Sequence, residues 1–138
     1  MGLHHVNFHT VQNKPVFALE EYDARMRIII KAVMRERCIL CLGWELMPTH
    51  LHAIVEDFDD FPRGMILQYL KGDTSRIFFR AYPELRADLL GGHLWSKGYW
   101  ATRIISHRQF CATLDYVRAN RERAALPSPA PLQQYGLE

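Results

Sequence analysis

The spacing of apolar positions changes several times along the chain, and each change marks an element. Residues 3–10 (Leu-His-His-Val-Asn-Phe-His-Thr) mix β-branched and aromatic residues with His4, His5 and His9, which predicts a strand. A turn follows at Asn13-Lys14-Pro15. Over 20–36 the period becomes helical: Met26, Ile29, Ile30 and Val33 recur on one stripe, with Arg25, Lys31 and Arg35 elsewhere. That stripe reads as core. Residues 37–46 are almost continuously apolar and predict a second strand. Met47-Pro48-Thr49 interrupts it, because proline donates nothing to a ladder, and 50–57 then alternates as a third strand. The two form a hairpin with a short connection.

Asp57, Asp59, Asp60 and Pro62 mark a loop and the start of a second helix over 62–81, which Pro83 ends. Gly91-Gly92 opens an extended stretch over 93–105 carrying Trp95, Tyr99, Trp100, Ile104 and Ile105. Ser106 is placed to cap a last helix over 107–124. The order β-α-β-β-α-β-α predicts an α+β fold. Its antiparallel sheet is covered by helices mainly on one face, a ferredoxin-like or RNA-recognition-like arrangement. Residues 126–138, with prolines at 127, 129 and 131, read as a flexible tail.

Composition narrows the class. A length of 138 residues suits one domain, and 49% hydrophobic with 23% charged residues excludes a disordered chain. No apolar run approaches the roughly 18 residues of a membrane span. The N-terminus lacks a charged region followed by an apolar one, so a cytoplasmic protein with no membrane partner is expected. Seventeen basic and fifteen acidic residues leave a net charge of +2, which neither requires nor excludes nucleic acid. Cys38 and Cys41 fall three apart in a β-like run, so they point to opposite faces and read as structural.

The sharpest local feature is His50-Leu51-His52 at the start of the third strand. Positions i and i+2 of a strand share a face, so both imidazoles project together, as half of a metal site or as ordinary strand histidines. Glu56 shares that face but lies too far along the strand to be a third ligand. A zinc site would need Cys38 or Cys41 opposite the pair. In the last helix Phe110, Leu114 and Val117 form the apolar stripe, while Tyr116, Asn120 and Arg123 fall at i, i+4 and i+7 on another flank. Alone, Tyr116 reads as a boundary tyrosine with a wet hydroxyl. Beside a histidine pair, it becomes a candidate nucleophile at phosphorus, with the amide of Asn120 as a metal ligand and Arg123 as a phosphate holder.

Four motifs in one order carry a resemblance to a family. They are Met47-Pro48-Thr49-His50-Leu51-His52; Leu70-Lys71-Gly72 with Ser75-Arg76 and Tyr82-Pro83-Glu84-Leu85; Gly91-Gly92-His93-Leu94-Trp95-Ser96; and Tyr116 with Asn120. Over roughly residues 3–124 the chain resembles the single-tyrosine HUH transposases of bacterial and archaeal insertion sequences and the related palindrome-associated tyrosine transposases. The resemblance implies a catalytic domain at 1–125, usually a homodimer, and Mg²⁺ or Mn²⁺ held by His50, His52 and Asn120. It assigns the nucleophile to Tyr116, which would cut single-stranded DNA through a 5′-phosphotyrosine and then transfer the strand. Insertion-sequence members typically carry glutamine four residues after the tyrosine. Asn120 instead follows the palindrome-associated branch.

Such enzymes usually recognise hairpins in single-stranded DNA. Lys71, Arg76, Arg80 and Lys97, with Arg123, are the candidate contacts, and Trp95, Tyr99 and Trp100 are candidate stacking faces or core. A histidine-triad hydrolase would need histidine where Ile54 stands, and a two-histidine phosphoesterase would need two H-x-T or H-x-S motifs. The remaining alternatives are a catalytically silent nucleic-acid-binding domain derived from such a transposase, and a structural metal-binding domain.

Overall fold

Four strands pair into one antiparallel sheet: β1 (Gly2–His9), β2 (Leu40–Leu46), β3 (His50–Asp57) and β4 (Trp100–Ile104), in the order β2-β3-β1-β4. The computed structural model describes residues 2–129 of the chain. The β1–β3 ladder sets Val6 opposite Ala53 and Phe8 opposite Leu51, so the alternation of both strands points one apolar set to the same side. Against that side pack α1 (Glu20–Glu36) and α2 (Arg63–Ala81), which supply Met26, Ile30, Leu67, Leu70 and Phe78 to the core. Phe8 and Phe78 are essentially excluded from water; each such side chain contributes about 1.5–3 kcal/mol on burial.

The opposite face carries a smaller apolar cluster. Ile54 and Ile104 meet Val117 there, with Leu3, Phe110 and Leu114 packed around them. This seats α4 (His107–Arg118), whose first turn is capped by the Ser106 hydroxyl accepting from the Gln109 amide. Gly43 allows the close approach, because a Cβ there would stand 2.7 Å from the Leu114 Cδ1. The three predicted stripe residues of the last helix are the ones that enter this cluster.

Several boundaries differ from the sequence reading. The extended stretch 93–105 is a strand only over Trp100–Ile104. Gly91, Gly92 and Gly98 take positive φ and break it, and Trp95 turns into the core, where its indole N–H donates to the Thr74 hydroxyl at 3.0 Å. Pro83 does more than end α2: it opens a short α3 (Pro83–Asp88), a position that needs no backbone donor. The last helix breaks at Ala119, leaving one turn, α5 (Asn120–Arg123). β2 begins at Leu40, because Cys38 takes a φ of 54° in the turn after α1. Cys41 lies opposite Val55, on the face away from His50 and His52, so no cysteine joins the pair from that strand. The proline-rich tail lies mostly beyond the described residues.

The end of α1 is tied to α2 by Arg37, whose Nε donates to the Asp73 Oδ2 at 2.6 Å. That bond and the charge of Arg37 hold the Asp73 carboxyl below the usual carboxylate range, outweighing a smaller opposing effect of burial. A depressed folded pKa means the contribution to stability is complete above the unfolded value and is lost as pH falls through the folded one. Asp73→Asn is therefore expected to flatten the acid limb of thermal stability. Between about pH 5 and about pH 3 its Tm should fall less than that of the unaltered chain in a circular-dichroism melt.

Candidate active site

The register that builds the core on one side gathers histidines on the other. His9 stands opposite His50, Asn7 opposite His52 and His5 opposite Ile54, all on the face that α4 partly covers. Position 50 is held by a tight turn in which the Met47 amide donates to the His50 carbonyl at 2.8 Å. Two further amides fix the turn, Thr10 donating to the Thr49 carbonyl and Phe17 to the Pro48 carbonyl.

The imidazoles form a connected set. The Nε2 atoms of His50 and His52 converge to 3.0 Å. On their far sides, His50 Nδ1 lies 3.0 Å from the Thr49 hydroxyl and His52 Nδ1 lies 3.1 Å from His5 Nε2. Both Nδ1 atoms therefore have a partner that can accept a proton, and in the tautomer with both protons there the two Nε2 lone pairs face one point. Two cis ligands of a metal with bonds of about 2.0–2.2 Å stand roughly 3 Å apart, so the pair fits a cation. His9 packs on His50 with ring centres 5.1 Å apart.

Burial, followed by the neighbouring His50, His5, His9 and Arg123, pushes the His52 imidazole down to about 3. Burial and then His9 lower His50, and burial lowers His5. All three are thus neutral at neutral pH, the state that ligates metal.

Tyr116 comes from α4 to the same place. Its ring lies 5.7 Å from that of His52 and 6.0 Å from that of His5, and the residue is 43% exposed. Around it a cleft of about 680 Å³ is lined by His5, Asn7, His9, His52, Trp100 and Ala112, among others. Arg123 places its guanidinium 3.9 Å from the Tyr116 ring centre and donates to the Tyr116 carbonyl at 2.9 Å. Asn120 is buried, and its amide nitrogen has no hydrogen-bond partner. Turned over, the same amide would put its oxygen where the nitrogen now stands, at a position outside the lining of the tyrosine cleft. Among the described residues no three His, Cys, Asp or Glu side chains form a metal cage. A complete site built on His50 and His52 therefore needs a ligand of another type.

Four of the predicted nucleic-acid contacts share a second cleft of about 1090 Å³. Lys71, Arg76 and Arg80 line it from α2 and Lys97 from the loop opposite, joined by Arg86 and His93. Lys71 is partly occupied there, donating to the carbonyls of Ser96 and Gly98 at 2.8 and 2.6 Å. Arg76 leans on Asp73 at 3.5 Å. Ser96 also binds the His9 carbonyl through its amide and hydroxyl, which fixes the cleft loop to the histidine strand. Arg123 is not in this cleft; it belongs to the tyrosine. Of the aromatic candidates, Trp95 is core, Tyr99 packs near Arg63, and Trp100 is half exposed beside His5.

A family model described as "Transposase IS200 like" matches residues 3–120. The chain belongs to this transposase family. Its similarity to the ISDra2 transposase TnpA of Deinococcus radiodurans is 28% identity over 74 residues, covering 54% of the chain and 53% of the relative. The matched part is thus about half the length of that curated relative. Two solved structures share the fold. One, from Deinococcus radiodurans R1 and assigned as a transposase, has a TM-score of 0.67 at 21% identity over 84% of this chain and 88% of that one. The other, a REP-associated tyrosine transposase bound to a REP hairpin, has a TM-score of 0.67 at 17% identity, covering 99% and 74%.

His5, His9 and Thr49 were not singled out from the sequence as site residues, and Trp100 was named there only as a stacking face or core. The alternation His5-Asn7-His9 was a usable signal, since these side chains must share a face, but nothing local said which strand they would meet. The neutrality of the cluster is directly measurable. In long-range ¹H–¹⁵N NMR the His52 ring should stay uncharged from about pH 8 down to about pH 5, because its folded pKa is depressed and protonation waits for stronger acid.

Proposed function

We propose that this transposase-family chain cuts and rejoins single-stranded DNA through a covalent link to Tyr116, as a tyrosine HUH enzyme. The observation that carries the reading is the meeting, within one chain, of an exposed tyrosine and two neutral histidines whose Nε2 atoms converge to 3.0 Å. His50 and His52 would hold a divalent cation of the Mg²⁺ or Mn²⁺ class, with the Asn120 amide oxygen as a third ligand. Bound there, the cation would polarise a non-bridging oxygen of the scissile phosphate and ease departure of the 3′ oxygen.

The chain's own residues do the rest. The Tyr116 oxygen attacks phosphorus in line and gives up its proton as the new P–O bond forms. The P–O3′ bond breaks, and the released 3′ oxygen takes up a proton. The product is a 5′-phosphotyrosine with a free 3′-OH. A second 3′-OH can reverse the step and join new ends, because the diester energy is kept in the link. His5 and Thr49 accept from the Nδ1 protons of the histidine pair, fixing the tautomer in which both Nε2 lone pairs are available. Arg123, stacked on the Tyr116 ring, is placed to meet a phosphate oxygen. Trp100 offers a face on which a base beside the scissile phosphate can stack.

The second cleft supplies the DNA partner's longer contact. Its rim of Lys71, Arg76, Arg80, Arg86 and Lys97 suits the backbone of a hairpin stem, and its loop is bonded to the strand that carries His9. One structural relative is bound to a REP hairpin, in keeping with this.

Two experiments test the reading. Incubated with labelled single-stranded hairpin DNA from its own genomic flanks and Mn²⁺, the protein should form an adduct that survives denaturing electrophoresis. The adduct should be absent with EDTA and in Tyr116→Phe. Persistence in Tyr116→Phe would move the nucleophile elsewhere, and tight binding without any adduct would make the chain a silent DNA-binding domain. In the second, Arg80→Ala and Lys97→Ala should each lower the slope of log K against log salt by roughly 0.7–0.9 while sparing cleavage at saturating DNA.

A further inference from the structure

The helix that carries Tyr116 has little to hold it. Val117 is the one residue of α4 that is buried, and the apolar cluster beneath it is small. Just beyond Ala119 the chain is anchored through the side chain of Arg121. Arg121, in the single turn α5, reaches the edge of the sheet, where its Nη1 donates to the Leu46 carbonyl at 3.1 Å. It also lies 3.5 Å from the Asp23 Oδ2 and 3.8 Å from the Glu45 Oε1.

Arg27 of α1 grips the same three groups from the other side of the sheet. Its Nε donates to Asp23 at 2.6 Å, and its Nη2 donates to Glu45 at 2.8 Å and to the Leu46 carbonyl at 3.1 Å. Two guanidiniums and two carboxylates thus balance in charge around one backbone oxygen. The side chains of Arg121, Arg27, Asp23 and Glu45 are all at least 85% withdrawn from water. Shielding of this kind makes their mutual orientation specific. Glu45 is also the ladder partner of His52, and Arg121 directly follows Asn120.

We infer that this four-residue ion network is a latch that holds the Tyr116 helix over the histidines of the same chain, with Arg121 as a positioning residue for strand cleavage. Arg121 is the member that can be removed without dismantling the scaffold, since Arg27 still pairs with both Asp23 and Glu45. The inference rests on the tyrosine-transfer reading for its catalytic part. Its structural part stands on geometry alone.

The test uses the full chain with Arg121→Gln and the milder Arg121→Lys, which keeps the charge but loses the planar fork. Amide hydrogen exchange should lose roughly tenfold protection over residues 107–123 in Arg121→Gln, while residues 20–36 and 40–57 keep theirs. On hairpin DNA with Mn²⁺, kcat for cleavage should fall about 10- to 100-fold with KM changed less than about twofold, because a displaced nucleophile is lost from turnover and not from binding. Arg121→Lys should fall between the two proteins in both readouts. Unchanged protection over 107–123 would overturn the latch, as would loss of protection spread evenly over the sheet. A raised KM at unchanged kcat would make Arg121 a DNA contact and overturn it too. If the unaltered chain forms no adduct, the tyrosine-transfer reading fails, and the exchange data still decide the latch.

Discussion

The β1–β3 ladder is the constraint on which everything else depends. These are the two central strands, and their residues alternate between the side of α1 and α2 and the side of α4 and Tyr116. A slip of one residue would exchange the two sets. Val6, Phe8, Leu51, Ala53 and Val55 would face the cleft, and the histidines would face the core. The free energy of burying the first set is therefore what fixes the second. His5 reaches His52 and His9 reaches His50 because Phe8 and Leu51 must share the other side.

The two faces are unequal. The α1–α2 face is a deep apolar layer, while the α4 face has a thin one whose remaining area is given over to polar chemistry. The thin layer leaves a cleft open beside Tyr116, which stays 43% exposed. Gly43 lets α4 approach closely over the small cluster, and the ion network at the sheet edge orients the turn beyond that helix. Direction there comes from charge and hydrogen bonds, which demand geometry, where apolar area demands only contact.

Electrostatics separates the two clefts in the same way. The tyrosine cleft is lined by imidazoles, of which His5 and His52 are kept neutral chiefly by burial, with Arg123 as its fixed cation. The larger cleft is rimmed by lysines and arginines drawn from α2 and from the loop opposite. Cleft loop and histidine strand are joined through Ser96 and the His9 carbonyl. The net charge of +2 conveyed none of this, since it averages a basic rim with carboxylates committed elsewhere.

Periodicity, caps and breakers were enough to mark both helices of the core layer, the hairpin turn at Pro48-Thr49, the Ser106 cap and the contact stripe Phe110, Leu114 and Val117. These features depend on neighbours in sequence, and a single chain records them. The motif His50-Leu51-His52 and the later Tyr116 and Asn120 pointed to a chemistry, but their meeting did not follow from spacing. The strand limits at 93–105 and the break at Ala119 escaped because Trp95 and Arg121 find partners far away, in Thr74 and in Asp23, Glu45 and Leu46. Local pattern settles which residues lie on which side of each element. Which elements face each other, and hence that His5, His9 and Trp100 share a cleft with Tyr116, is settled by the fold as a whole. Register and packing are set by the burial of all the apolar surface at once, a property that no local window contains.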